Sequence, residues 1–392
     1  MLEIAELPVV DAHCHPFLNP GELSVEAFVD LVALGGGSQR FMEEGGLAFT
    51  SAVRTELQRV KRDTVYFRRL VRDLAAFFGV EPELDQVLER RNAAVRAGYR
   101  GYVGRLFRDA GIVTLIADMG YPQPPVDLAT FRREVPAGVV PIFRIEPLIA
   151  RLLAEDLGWP EFRRRFDESI ANALQRDGYR GLKSVIAYRT GLDVSPLSRS
   201  PDQGLMAYDG VKRGLGGDAM KRLRDHLLCR ALELCIEYDV PMQIHTGVGD
   251  VEINLPYCRP SYLMELLRFP AFRACRVVLV HSGYPYHREA AYMAHVLPRV
   301  YCDVSEGIPF AGHAAPALIR EVLEMAPLSK VVYGSDGFAL PELNYTAAKL
   351  AKQALGLALG QLVEEGMLSK TEAEEAAWLI LAGTARRLYR LD

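Results

Sequence analysis

The chain has 392 residues, of which 49% are hydrophobic and 24% charged, a composition typical of a globular protein with a large buried core. Its formal net charge of −4 gives no long-range attraction for nucleic acid or anionic lipid, so we expect neither as a partner. No apolar stretch reaches the ~18 residues of a membrane span, and the acidic start MLEIAEL lacks the basic region of a secretory signal. These features predict a cytoplasmic protein.

The first apolar run, residues 7–16 (LPVVDAHCHP), is predicted to form a strand that carries two histidines. Because side chains alternate between the faces of a strand, Asp11, His13 and His15 are expected to share one direction. Two imidazoles at one strand end supply half of a site for zinc or a related metal. A His-x-His pair alone is a weak motif, since two hydrogen-bonded core histidines would give the same pattern.

The next segment, residues 21–110, contains no strand-like run and has helical periodicity over residues 54–78 and 83–97. Its arginines alternate with glutamate and aspartate, which is typical of a solvated helical face. We therefore predict a helical insertion after the first strand, and a cap over the site is one role for it.

Short apolar runs then alternate with helical stretches through the rest of the chain. Seven further strands are predicted at residues 111–118, 139–146, 181–188, 240–245, 276–281, 300–305 and 330–336. Their nearly continuous Val, Ile and Leu content is typical of a parallel sheet that is covered on both faces. Residues 376–391 are predicted as the last helix.

Eight strand–helix units predict an α/β protein with a (β/α)8 TIM barrel fold. Such a barrel takes ~250 residues, which leaves room for insertions at residues 21–110 and 190–217. The whole chain, residues 1–392, is then one barrel domain with the helical insertion inside it. A doubly wound sheet is disfavoured because polar residues follow nearly every strand, where barrel active sites are built.

Polar side chains at the strand ends are the candidate functional residues. Each taken singly is more often structural than catalytic, but four histidines with carboxylates at one barrel mouth favour a metal site. The set is His13, His15, Asp118, Arg144, Glu146, Lys183, His245, His281, Asp303 and Asp336.

Five segments in this order, VVDAHCHP, GLKSVIAYR, QIHTG, VLVHSGYP and YGSDG, resemble the amidohydrolase superfamily of metal-dependent TIM-barrel hydrolases. The segment KSVIAYRTGL and the helical insertion are most similar to the amidohydrolase-related group found fused to glutamine-synthetase-like proteins. The resemblance implies a centre of two divalent ions, most simply zinc. In that centre His13, His15 and Asp336 bind one ion, His245 and His281 bind the other, and carboxylated Lys183 bridges them.

Two alternatives remain open for this centre. Lys183 could stay an amine paired with a carboxylate such as Glu146, leaving one ion, as in the mononuclear decarboxylase branch or in uronate-isomerase-like enzymes. The second alternative is a barrel without catalytic activity that acts as a binding module. Zinc, manganese, iron and nickel all accept histidine and carboxylate ligands, so the metal itself is not fixed.

The reaction implied by the resemblance is hydrolysis of an amide by metal-activated hydroxide, with Asp336 as the catalytic residue that moves the proton. The implied substrate is a small molecule, a γ-glutamyl or other amino-acid amide, and homo-oligomerisation is left open. Arg144 and Arg189 could clamp a substrate carboxylate, or they could pair with Glu146 or Asp118. Tyr188 and Tyr284, just past strand ends, are candidate pocket residues.

Overall fold

The structure is a computed structural model that describes residues 2–34, 38–305 and 307–391. Eight strands form one parallel sheet in which each strand pairs with the next in chain order. They are β1 (Val9–Cys14), β2 (Ile112–Asp118), β3 (Gly138–Arg144), β4 (Leu182–Ser184), β5 (Met242–His245), β6 (Val277–Val280), β7 (Val300–Asp303) and β8 (Val331–Val332). The predicted (β/α)8 TIM barrel is confirmed.

Backbone hydrogen bonds join the first strand to the segment that follows the last one. The Ala12 N–H donates to the Tyr333 carbonyl at 2.9 Å, and the Asp336 N–H donates to the His13 carbonyl at 2.9 Å. These bonds bring the two ends of the sheet together, so that residues more than 300 positions apart in sequence become neighbours at the barrel mouth.

Helices surround the sheet and fill the long connections. In the described residues they are α1 (Val25–Val32), α2 (Ser38–Glu44), α3 (Ser51–Arg62), α4 (Val65–Phe78), α5 (Leu84–Ala110), α6 (Leu128–Glu134), α7 (Ile145–Leu153), α8 (Trp159–Gln175), α9 (Pro201–Lys212), α10 (Gly217–Glu237), α11 (Met264–Arg268), α12 (His287–Val296), α13 (Gly307–Ala311), α14 (Ala315–Leu323), α15 (Pro341–Glu364), α16 (Lys370–Trp378) and α17 (Thr384–Tyr389). None of these helices is both long and apolar enough to cross a membrane.

The segment between β1 and β2 contains α1 to α5. The helix predicted over residues 54–78 is two helices, because the Thr64 side chain accepts a hydrogen bond from the Phe67 N–H and starts α4 there. The helix predicted at residues 83–97 continues to Ala110, where Gly111 at φ 74° ends it.

A buried ion pair connects this helical segment to α15. Arg91 Nε donates to Glu342 Oε1 at 2.9 Å, and neither side chain has solvent exposure (0% for each). The Tyr102 hydroxyl donates to the same oxygen at 3.0 Å. Charge and hydrogen bonding therefore hold α5 against the helix that follows the Asp336 segment.

Strand β4 is shorter than predicted, because residues 181–188 do not stay extended. The chain leaves the sheet after Ser184 and turns into a short 3-10 helix, Ile186–Tyr188. Glu146 Oε1 accepts hydrogen bonds from the Val185 N–H at 2.8 Å and from the Ser184 hydroxyl at 2.7 Å, which diverts the backbone from the ladder.

Three other predicted boundaries differ from the structure. Strand β3 ends at Arg144, so Glu146 lies in the first turn of α7 and not in the strand. Strand β8 covers only Val331–Val332 of the predicted residues 330–336. The predicted last helix, residues 376–391, is the end of α16, a π-helical turn at Leu379–Gly383 and then α17.

The barrel interior away from the mouth is apolar. Strand residues and side chains of α17 form one buried cluster that includes Val10, Ala12, Ile116, Ile142, Val278, Val280, Val332, Ala385, Leu388 and Tyr389. All six cysteines are buried as well, and Cys14 lies beside the proposed ligands with its thiol 3.7 Å from the Ile116 carbonyl. Polar chemistry is therefore concentrated at the other end of the strands.

Candidate metal centre

The structure brings together the six side chains predicted to bind metal: His13, His15, Lys183, His245, His281 and Asp336. All except Asp336 are buried, and that side chain is 15% exposed. Asp336 Oδ1 lies 3.1 Å from His13 Nε2 and 3.4 Å from His15 Nε2. Lys183 Nζ lies 3.4 Å from the same His13 nitrogen.

Two further histidines complete the cluster from β5 and the end of β6. His245 Nδ1 and His281 Nε2 are 3.1 Å apart, and the His281 ring centroid lies 5.3 Å from that of His13. One ligand atom each of His13, His281 and Asp336 lies within 4.8 Å of the others, close enough to share an ion.

A glutamine fixes the tautomer of His13. Gln243 Nε2 donates to the Ala12 carbonyl at 2.8 Å, and a carbonyl can only accept, so the amide oxygen of Gln243 faces the histidine. His13 Nδ1 lies 3.0 Å from that oxygen and must carry the proton. In the neutral ring, His13 Nε2 is then unprotonated and points at Asp336.

The tautomer of His281 is fixed from the opposite side of the site. Asp303 Oδ1 accepts from the Ser305 hydroxyl at 2.8 Å, which uses the only hydroxyl proton. The Ser305 oxygen therefore accepts from His281 Nδ1 at 2.9 Å. The other ring nitrogen, Nε2, is left unprotonated in the neutral imidazole.

His245 is oriented by the main chain. Its Nε2 lies 2.9 Å from the Val248 carbonyl and must donate to it, so Nδ1 is the unprotonated nitrogen that faces His281. Histidines that donate one N–H to a fixed acceptor and direct the other nitrogen inward are typical of metal ligands.

Burial keeps these rings neutral. It lowers the pKa of His13 to about 4 and the pKa values of His245 and His281 well below their usual range, in each case with a contribution from the Lys183 charge. Burial raises the pKa of Asp336, but the charge of an imidazole that still holds its proton, first that of His281, brings it well below its ordinary value, so the carboxylate is already ionised when the rings become neutral. Unprotonated histidine nitrogens and a carboxylate that face one another are a donor set that fits a divalent metal.

Lys183 is buried among these groups, and burial is the main reason why its pKa falls to about 8. The alternative pairing with Glu146 is not formed, because Glu146 Oε1 accepts from Ser184 and Val185 instead. The Lys183 amine is thus directed toward His13 rather than toward a structural carboxylate.

The expected alternation along the first strand is wrong for Asp11. Its carboxylate accepts from the Ser335 N–H at 2.8 Å and from the Asn344 side chain on α15 at 3.0 Å, away from the metal centre. The pairing of β1 with β2 shifts register between Asp11 and Cys14, which changes the direction of the following side chains. The two histidines still converge, but through this irregularity and not through regular alternation.

The predicted substrate residues have different partners in the structure. Arg144 forms the alternative pairing with Asp118, with Nε 2.9 Å and Nη2 2.5 Å from Asp118 Oδ2. Tyr188 packs against His245 with ring centroids 4.6 Å apart. Tyr284 stacks on His287 at 6.0 Å.

Several residues around the site were not predicted. Gln243 could have been found from its spacing, because it lies two residues before His245 and so on the same side of β5. Ser305 could have been found in a similar way, because it lies two residues after Asp303, the last residue of β7. Tyr121, whose ring lies 5.3 Å from that of His15, and Arg224 on α10 carry no such signal.

Replacing Gln243 by Leu is expected to weaken metal binding about 10- to 100-fold, because the His13 tautomer is no longer fixed. Chelator competition on the purified variant measures this affinity. Gln58→Leu is the matched control, since Gln58 is also buried but donates to Glu26 in the helical segment. Equal affinities in the two variants would contradict the assigned role.

A parallel barrel with a histidine cluster at the carboxyl end of its strands is the arrangement found in barrel proteins that bind metal at that end. Residues 157–391, more than half of the chain, match the family model described as Amidohydrolase, so the chain belongs to the amidohydrolase family. Protein fluG of Emericella nidulans is 29% identical over 417 aligned residues, which cover 98% of this chain and 46% of fluG. The chain therefore spans about half the length of this relative.

Solved structures share the architecture over nearly the whole chain. A proposed metal-dependent hydrolase from Lactobacillus casei ATCC 334 has a TM-score of 0.84 at 24% identity, covering 99% of this chain and 96% of that one. Glucuronate isomerase from Caulobacter crescentus has a TM-score of 0.70 at 18% identity, covering 99% and 92%. At these identities the likenesses establish the barrel fold alone.

Proposed function

We propose that this protein is a metal-dependent hydrolase that cleaves an amide C–N bond in a small-molecule substrate. The observation that carries the proposal is the set of fixed histidine tautomers, which directs three unprotonated nitrogens into the space beside the Asp336 carboxylate. Membership of the amidohydrolase family supports the same class of reaction. A γ-glutamyl or other amino-acid amide, the substrate implied by the resemblance, is the class that we propose.

The residues that would hold the first ion are His13, His15 and Asp336. A divalent metal such as zinc, when bound, supplies a Lewis acid that lowers the pKa of water toward ~7 and polarises the substrate carbonyl. Among the described residues, the buried Nδ1 of His15 has no hydrogen-bond partner, so the orientation of the ring depends on packing against Tyr121 and on Asp336.

The second ion would be held by His245 and His281, and Lys183 would join the two positions as a carbamate. An ammonium has only hydrogen-bond donors, whereas a carbamate has anionic oxygen atoms that suit a pair of cations. The burial of Lys183 among the histidines, and the engagement of Glu146 elsewhere, support this role.

Asp336 is the residue to which we assign proton transfer. Its ionised carboxylate is the most solvent-exposed of the six proposed ligands, so it faces the opening through which water and substrate arrive. It accepts a proton from the attacking water and delivers it to the leaving amine. Water adds across the C–N bond, giving a carboxylic acid and an amine.

A single-ion enzyme on the same barrel is the second candidate. The compact group formed by His13, His281 and Asp336, with donor atoms within 4.8 Å, favours it because these residues could hold one ion without a bridge. The isomerase structures with this architecture make a uronate-isomerase-like reaction the first alternative to hydrolysis, and decarboxylation the second.

Elemental analysis of the purified protein, combined with assays on a panel of γ-glutamyl amides, acyl amino acids, lactones, uronates and aromatic acids, tests the proposal. We expect two divalent ions per chain, and amide hydrolysis that is lost on dialysis against a chelator and restored by zinc. One ion with an unmodified Lys183 and activity on uronates or aromatic acids would favour the second candidate. A protein that binds no metal would leave only the binding module.

A further inference from the structure

A cavity of about 520 Å³ lies beside the metal centre, around the carboxyl ends of β2, β3 and β4. Tyr121 lines this cavity and also packs edge-on against His15, with ring centroids 5.3 Å apart. Arg189 and Arg224 line the same cavity, the first following β4 and the second on α10. A substrate whose reacting group lies at the metal centre would extend into this space.

The charges on the cavity wall do not cancel. Arg144 lines the cavity, but it forms a bidentate pair with the buried Asp118 and is neutralised. In the part of the chain that the structure describes, neither Arg189 nor Arg224 forms an ion pair with a carboxylate. Glu146 contributes one negative charge, so the cavity carries a net charge of one positive unit when Glu146 is ionised.

The two unpaired arginines are close enough to affect one another. Burial lowers the pKa of Arg224, and the positive charge of Arg189 lowers it further, while Glu146 acts in the opposite direction. Arg224 is half-buried and Arg189 is exposed at the rim. Two cations that face one cavity, one of them partly desolvated, are stabilised by an anion between them.

We infer that Arg189 and Arg224 bind a carboxylate of the substrate and so select substrates that carry one at a distance from the reacting group. The inference rests on the proposed function only in placing that reacting group at the metal centre. Guanidinium groups match the planar geometry of a carboxylate and bind it through paired hydrogen bonds. A monoanion balances the single net positive charge of the cavity, whereas a phosphate dianion would exceed it.

Calorimetric titration of the metal-loaded protein with matched probes tests this inference without requiring turnover. The probes are benzoate and glutaramate, each compared with its own neutral amide, and phenylphosphonate as the dianion. We expect at least one carboxylate to bind about tenfold or more tightly than its amide, as for a charge-assisted contact. The variants R189Q and R224Q should each lose this preference, and R224K, which keeps the charge but not the planar fork, should keep only part of it.

Arg222→Gln is the matched control, because Arg222 is exposed on the same helix two residues before Arg224 and does not line the cavity. It should bind like the wild-type protein. Metal content, measured on every variant, should stay unchanged. A loss of metal in R189Q or R224Q would mean that these residues act on the centre itself, and the inference would be wrong.

Three other results would overturn the inference. They are equal binding of every carboxylate and its amide, a preference that survives in the R189Q/R224Q double variant, and tighter binding of phenylphosphonate than of benzoate. Failure of the proposed function would give a different result from failure of this inference. If no amide is hydrolysed but carboxylate binding still depends on both arginines, the recognition site stands and the reaction is another one.

Discussion

Asp336→Asn is expected to lower the turnover of the best amide substrate by about 10³-fold while at least one ion remains bound. The amide side chain keeps an oxygen that can face His13 but cannot accept the proton of the attacking water at neutral pH, and general-base groups contribute about 10²- to 10⁴-fold. Steady-state kinetics and elemental analysis of the same preparation measure the two quantities. The drop should appear in kcat, since the substrate carboxylate is bound elsewhere.

Asp225→Asn serves as the control for this variant. Asp225 is also a buried carboxylate, but it pairs with Lys221 on α10 at 2.7 Å. We expect its replacement to leave turnover near the wild-type value. Near-normal activity in the Asp336 variant, with metal bound, would remove Asp336 from the proton-transfer step.

Arg91→Met is expected to destabilise the protein by about 3–5 kcal/mol, the cost of leaving a buried charge without its partner. Arg91 and Glu342 both have 0% exposure, so water cannot replace the lost guanidinium. The Tyr102 hydroxyl remains, but a single neutral donor does not offset the charge. Urea denaturation followed by circular dichroism measures the change.

Two further variants separate the ion pair from side-chain packing. In Arg91→Met/Glu342→Leu both charges are gone, and most of the lost stability should return because an apolar pair can occupy the same volume. Arg69→Met, which removes the partly exposed partner of Asp73 in α4, should cause a much smaller loss. If Arg91→Met is no less stable than Arg69→Met, the pair does not anchor the helical segment.

The barrel could be predicted because its strands can be recognised as apolar runs in the sequence. Each buried parallel strand is a short run of Val, Ile and Leu, and the proposed histidine ligands stand at or just beyond the end of such a run, whereas Lys183 lies near the start of its run. The sequence alone therefore places His13, His245 and His281 at one end of the sheet.

Details that depend on side chains from elsewhere in the chain could not be predicted in this way. The end of β4 depends on a hydrogen bond from Val185 to Glu146, 39 residues earlier in the chain. Arg144 has carboxylates within reach on neighbouring elements, and only the three-dimensional packing selects Asp118. The approach of Arg224 to the cavity depends on how α10 lies on the barrel, which helical periodicity does not specify.

The amide nitrogen of Gln243 also donates a hydrogen bond to a second partner, the Tyr389 hydroxyl on α17, at 2.7 Å. The group that orients His13 is thus itself held by the last helix, from inside the barrel. This support exists only when α17 has docked against the barrel. The order of the metal centre therefore depends on the docking of α17, whose side chains pack in the barrel interior away from the mouth.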